Sequence, residues 1–313
     1  TGYVQPKEAL EHIRYKIQNS AFFIDKYTLQ FYPRALWSIK LLYKLYMVNP
    51  EGIFWNMFYR MSIVALRRIS KKIDVHPFMI YRTLRSLNPS PYMYYLDFDD
   101  HYIVGASPEL LVQVENKNIT SVPIAGTRPR GLTESEDKEI EKELIADPKE
   151  NAEHIMLVDL ARNDVGKVSE PGTVAVTEFM DIKKFSHVMH LVSKVIGKKK
   201  EDISALEVFQ SCFPAGTVSG APKIRAMQLI SELENDKRGP YAGAIGFFDF
   251  FDNLEVAITL RTLFIKNGIA SVQSGGGIVY DSIPELEFEE HLHKIEALLK
   301  AIEMAEKGEF LFK

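Results

Sequence analysis

The feature that most restricts this chain is a set of short apolar runs joined by turns too small to hold a crossover helix. "YAGAIGFFDFFDNLEVAITLRTLFIKNGIASVQSG" (241–275) reads as three strands, turning at Asp252-Asn253 and at Asn267-Gly268. The second turn is the Asn-Gly pair of a tight hairpin, since both residues tolerate positive φ. "HYIVGASPELLVQVENKNITSVPI" (101–124) reads as two more strands, joined at Asn116–Asn118. Parallel neighbours need connections of a dozen or more residues, so these pairs are antiparallel. Helical sequence fills the intervals. "TESE" (133–136) is a capping box, and Asp147-Pro148 sets a cap before a proline at the first helical position. The helix that follows carries "KENAEHIMLVDLARND" and stops near Gly166. A last helix opens on a second capping box, Ser282 to Glu285. Its apolar stripe is Phe288, Leu292, Ile295, Leu299 and Ile302, with Glu287, Glu290 and Lys294 on a different face. The expected class is α+β: a layered sandwich of helices and mainly antiparallel sheets.

At 313 residues the chain can hold one large domain or two ordinary ones. The net charge of −4 gives no reason to expect a nucleic-acid partner, and no apolar run approaches a membrane span. "TGYVQPKEAL" is not a signal peptide. A single cysteine, Cys212, excludes an internal disulfide and suits a reducing cytoplasm; its apolar neighbours make it an inert core thiol. Charge is unevenly spread. Residues 26–72 carry nine lysines and arginines against one acid, Glu51. Residues 1–75 therefore read as an atypical basic and aromatic segment with helices in "FYPRALWSIKLLYKLYM" (31–47), and 76–313 as the domain that bears the chemistry. The basic segment suits either a partner or its own domain.

Several stretches could carry chemistry. "PIAGTRPRG" (123–131) reads as a loop whose arginine pair, Arg128 and Arg130, suits an acidic small molecule, yet Ala125 at its centre has no functional group. Glu287 and Glu290 are three apart on a helix; with Glu153 from another helix they could hold magnesium, which takes oxygen ligands. The alternative is a solvated acidic face. In "QSGGGIVYDS" (273–282) three successive glycines permit close backbone approach and an anion nest, or mark a strand bend. "FPAGTVSGAPKIRAMQLI" (213–230) is a tight loop running into a helix, with Thr217 and Ser219 free to meet an anion; its spacing is not that of a Walker loop. His187 and His190 lack a third ligand nearby, which argues against zinc. Arg261, in an apolar strand, needs an anionic ligand or a carboxylate to offset its burial.

Taken together and in this order, "SPELL", "PIAGTRPRG", "AEHIMLVDLARND", "HVMHLVS", "PAGTVSGAPK", "GPYAGAIG", "LRT", "GGGIVYDS" and "PELEFEEHLHK" resemble the chorismate-utilising enzymes. Ala125 and "GTVSGAPK" look like the anthranilate-forming branch; in the aminodeoxychorismate branch a lysine typically stands at the position of Ala125. The resemblance implies Mg²⁺ held by Glu153, Glu287 and Glu290 against the ring carboxylate of chorismate. It implies Gly275, Gly276 and Gly277, with Tyr241 and Arg261, around the enolpyruvyl carboxylate. Gly126, Thr127 and Thr217 would line the ring, and Lys294 would neutralise carboxylate charge. Glu109 would protonate the departing hydroxyl, and His190 would help remove a ring proton. Ammonia would come from a separate glutamine amidotransferase subunit, making a hetero-oligomer. The departures lie at the N-terminus. The strand that usually precedes "NPSPYM" has its best counterpart in "MSIVALRRI" (61–69), with Ser62 at the glutamine position and "EGIFWN" (51–56) as a rival register. The tryptophan-pocket element of the family is not visible. Aminodeoxychorismate or isochorismate formation, or a chorismate-fold protein that only binds, remain as alternatives.

Overall fold

The computed structural model describes residues 63–185, 188–234, 236–278 and 282–309. The expected helices at 31–47, the rival register at 51–56, Ser62 and His187 lie outside these. The described chain runs β1 (Ile63–Lys72), α1 (Pro77–Leu87), β2 (Tyr92–Asp97), β3 (Tyr102–Ser107), β4 (Leu110–Glu115), β5 (Asn118–Ser121) and β6 (Ile124–Pro129). It continues through α2 (Glu134–Ala146), α3 (Pro148–Val168), β7 (Ala175–Lys184), β8 (Val188–Lys198), α4 (Ala205–Cys212), a 3₁₀ turn (Gly216–Val218) and α5 (Lys223–Leu233). It ends with β9 (Ala244–Phe248), β10 (Leu254–Ile258), β11 (Thr262–Lys266), β12 (Ile269–Ile278) and α6 (Pro284–Glu306).

Two sheets result, one of five strands in the order β1-β12-β11-β3-β2 and one of seven in the order β6-β8-β5-β4-β10-β9, with β7 also paired to β8. Every pairing is antiparallel. The five-stranded sheet buries Val104, Leu263 and Val272 against Ile80 and Leu84 of α1 and Ile295, Leu298 and Ile302 of α6. The seven-stranded sheet buries Val112, Ile119 and Val195 against Val158 and Val165 of α3 and Val208 of α4. These are α+β layers, as the hairpin spacing implies. β1, within the stretch expected to stand apart, pairs with β12 along its whole length.

The sequence undercounts the strands in an informative way. The first run in 101–124 is two strands, β3 and β4, which belong to different sheets; the break falls at Pro108-Glu109. The middle run in 241–275 is likewise β10 and β11, broken at Thr259–Arg261, where Arg261 adopts φ 47°. An apolar run that is buried throughout gives no periodic sign of changing sheets. The chain therefore crosses between the sheets twice, and Glu109 and Arg261 stand at the two crossings.

The helix caps follow expectation, with one exception. Thr133 and Glu136 close their capping box, and Asp147 accepts from the backbone of Lys149 and Glu150 ahead of Pro148. α3 runs to Val168, two residues past Gly166. α6 instead starts at Pro284 with Ile283 as its cap residue, so Ser282 lies one position too early.

Candidate active site

Glu109 leaves the first crossing with 8% of its surface exposed. Burial pushes its carboxyl up to about 7, against the opposing pull of the Thr217 hydroxyl, Lys294 and Arg261. No hydrogen bond within normal distance reaches that hydroxyl: Thr217 Oγ1 is buried without a partner among the described residues. Arg261, at the second crossing, has its charge disfavoured by burial and favoured by Glu109. Its guanidinium makes no ion pair among the described residues. Tyr241 is buried beside them, its hydroxyl pKa raised by burial.

"PIAGTRPRG" is a strand, β6, and not a loop. It pairs with β8 through a bulge between Ala125 and Thr127, where Gly126 takes φ +60°. A side chain at Gly126 would crowd Leu144 at 3.0 Å and Glu150 Oε2 at 3.2 Å. The bulge turns the Gly126 carbonyl and Thr127 hydroxyl onto His190, whose Nδ1 lies 3.1 and 3.0 Å from them. Burial holds the imidazole below its usual pKa, so it is neutral at neutral pH and able to accept a proton. The arginine pair does not face a ligand. Arg128 is held by Asp147 at 2.8 Å and by Glu150 and Glu143 at 3.3 Å, and Arg130 by Asp137 at 2.5 Å. Two arginines with carboxylates 7 to 22 residues further along the chain signal internal clamps as readily as a binding site.

The glycines lie in extended β12 and none has positive φ, so they form no nest. They do something else. β12 pairs with β11 only as far as Val272 but with β1 as far as Ile278, which leaves one edge of Gly275–Gly277 without strand partners. An open edge offers backbone N–H groups to a ligand. Gly276 is also needed for space: a Cβ there would lie 2.7 Å from His291 Nε2 and 3.4 Å from Glu287 Oε2.

α6 is rotated relative to its expected stripe. Its buried face is Glu287, His291, Ile295, Leu298 and Ile302, while Leu292 is 37% exposed. The reason lies in its first turns. There Glu287 and His291 pack on the glycine strand, and Arg67 covers the Phe288 ring at 3.5 Å, so the apolar stripe yields to the site. Glu290 and Lys294 form an ion pair at 2.6 Å, and Lys294 Nζ also donates to the Gly275 carbonyl. Glu287 is met by Lys149 at 3.6 Å. Burial raises the pKa of Glu153, and Glu150 and Glu290 raise it further, so the three carboxylates share one region. Among the described residues, however, no three His, Cys, Asp or Glu side chains converge closely enough to hold a metal ion. In this arrangement Lys149 pairs with Glu287 and Lys294 with Glu290, two of the three carboxylates expected to hold the ion. The donor set, all carboxylate oxygen, still fits a hard divalent cation.

Three residues escaped the sequence reading. Glu150 is three before Glu153 on α3, the same spacing that singled out Glu287 and Glu290. His291 is one turn beyond Glu287. His154 Nε2, 2.6 Å from Ser193 Oγ, ties α3 to β8 and so sets Glu153 relative to His190. Cys212 is buried with its thiol pushed up to about 12 by burial, the inert thiol expected.

Residues 61–300 match the family of chorismate binding enzymes, and the chain belongs to that family. Within it, the chain is 54% identical over 248 residues to anthranilate synthase component 1 of Aquifex aeolicus (strain VF5), covering 79% of this chain and 50% of that protein. It is 56% identical over 244 residues to the same component of Acetivibrio thermocellus, covering 78% and 49%. The chain thus spans about half the length of the curated relatives it matches. The crystal structure of anthranilate synthase component I from Streptococcus pneumoniae TIGR4 superposes with a TM-score of 0.75 at 39% identity, covering 93% of this chain and 66% of that one. No described helix is long and apolar enough to cross a membrane.

Proposed function

We propose that the chain converts chorismate and ammonia to anthranilate and pyruvate, as the site-bearing part of an anthranilate synthase component I. The observation that carries this reading is Glu109, a carboxyl raised to about 7 and left without a strong partner beside two cations. An acid of that kind is protonated near neutrality and can give its proton to a departing hydroxyl. Arg261, Tyr241 and the open edge at Gly275–Gly277 take the enolpyruvyl carboxylate. Thr217, Gly126 and Thr127 border the ring. Ala125 places no amine there, which leaves external ammonia as the attacking group. His190, neutral and oriented by Gly126 and Thr127, accepts the ring proton. Glu153, Glu287 and Glu290, with Glu150 beside them, would hold magnesium once Lys149 and Lys294 yield. Such an ion supplies positive charge to fix a substrate carboxylate.

The ammonia comes from a glutamine amidotransferase subunit, the partner that the name component 1 of the relatives implies, and Cys212, buried with its thiol pushed up to about 12, is not its nucleophile. A hetero-oligomer working on a small soluble substrate in the cytoplasm fits the composition. The test is the chain with chorismate, Mg²⁺ and ammonium at mildly alkaline pH, read by anthranilate fluorescence and product mass. Anthranilate from the wild type and almost none from Glu109→Gln is the expected result; isochorismate or aminodeoxychorismate as product would overturn it.

A further inference from the structure

Glu109 also borders a cavity that neither Lys294 nor Gly275–Gly277 lines and that the reaction above does not use. It is walled by Leu110, Ser121, Leu160, Ala161, Asp164 and Gly216, among others, and Glu109 and Thr217 complete it. Its water-accessible core is about 40 Å³. A water needs roughly 10–15 Å³ of such space and two or more polar partners, so the cavity can hold water. Partners are present. Thr217 Oγ1 is buried and unpartnered, and Ser121 offers a hydroxyl. Asp164 is buried and bonded at 2.6 Å to Lys223, and at 3.1 Å to Lys167, whose side chain is 62% exposed. The cavity thus spans from the acid to an ion pair with one end in solvent.

We propose that this cavity holds water and is the route by which Glu109 regains its proton between turnovers, with Thr217 Oγ1 anchoring the first water. The inference rests on the reaction proposed above. In that reaction Glu109 gives its proton to the departing hydroxyl, which leaves as water. The ammonia nitrogen, on bonding to the ring, releases one proton to solvent. An equal proton returns to Glu109 through the cavity, so the cycle closes without net uptake. The ring proton taken by His190 matches the one that the departing enolpyruvyl fragment gains as pyruvate. The direction of return follows from charge. Arg261 and Lys294 act on Glu109 but do not line the cavity, and they oppose a proton arriving past them, whereas the cavity presents the carboxylate of Asp164.

The route can be blocked without touching the groups assigned to chemistry. Ala161→Leu, or the smaller Ala161→Val, puts side-chain volume into the cavity from α3. At pH 6, below the value of about 7 at which Glu109 titrates, each experiment begins with Glu109 protonated, so the first turnover should proceed at the wild-type rate. Steady-state turnover should fall about tenfold, with a larger solvent isotope effect and an unchanged KM for chorismate. First and later turnovers slowed alike, or no change in steady state, would overturn the route. A crystal structure supplies a second readout: a water within hydrogen-bond distance of both Thr217 Oγ1 and the Glu109 carboxyl is expected, and a dry cavity overturns the proposal. A wild-type chain with no turnover at all would instead remove the reaction itself, and the role of the water with it.

Discussion

Two carboxylates of one site, Glu109 and Glu290, are treated in opposite ways. Glu109 is buried and forms no ion pair among the described residues, so the pull of Arg261 and Lys294 does not offset burial and its pKa rises to about 7. Glu290 is also partly buried, yet Lys294 overrides that burial and holds it below the usual value. A salt bridge at 2.6 Å makes the difference. The contrast shows how one fold keeps one acid protonated and another ionised: it withholds or supplies a nearby cation. The first can lose a proton, and the second can accept a metal.

Breaking the contrast at its protonated end should have the largest effect. Glu109→Gln keeps the shape and removes the proton, so kcat should fall by about 10²–10⁴-fold while chorismate still binds, measured by fluorescence and calorimetry. At the ionised end, Glu290→Gln should weaken Mg²⁺ binding by about tenfold or more in a calorimetric titration. Chelation of the wild type should mimic it.

Glu109 also marks stability. Its folded pKa of about 7 lies above the usual 4.5 of a free glutamate, so the folded chain holds a proton that the unfolded chain gives up. That favours folding at low pH and is lost as pH rises from about 4.5 through 7. Glu109→Gln should therefore raise Tm by a few degrees at pH 8 and hardly at pH 5, seen by scanning calorimetry. The same titration should give wild-type kcat/KM a falling limb above about pH 7, when read at constant free ammonia, that is absent from the residual activity of the variant.

Between the two ends stands Gly276. Gly276→Ala would drive a methyl into His291 Nε2, raising KM for chorismate severalfold, and His291→Ala in the same chain should restore part of the loss. The smallest effect is expected of Lys149→Met. Freeing Glu287 from a partly exposed ion pair should tighten Mg²⁺ by only about two- to fivefold, the scale of such pairs.

The fold was legible where local chemistry decides it. Thr133, Asp147 and Asn267-Gly268 each announce a cap or a turn through their own side chains or backbone tolerance, and each behaves as read. The sheet crossings were not legible, because Ser107-Pro108-Glu109 and Thr259–Arg261 interrupt apolar runs whose two halves are buried in different places. The site was legible as a set of residue types. Glu109, His190, Thr217, Arg261 and Lys294 come together from five separate elements, which spacing alone cannot foresee. What misled was partnership. Arg128 and Arg130 read as anion-binding residues, but Asp137, Asp147 and Glu150 fold back onto them. The stripe on α6 shifted because Glu287 and His291 had a glycine strand to meet, a fact held by β12 and not by the helix.

The double crossing of the backbone has a further consequence. Since β3 continues into β4, and β10 into β11, the seven-stranded sheet is a single insertion into the five-stranded one, whose strands come from two separated pieces of the chain. A cut between residues 115 and 254 would leave both fragments without a complete layer. The two halves of the molecule are stitched rather than hinged. They should melt as a single cooperative unit, and limited proteolysis should yield no surviving half.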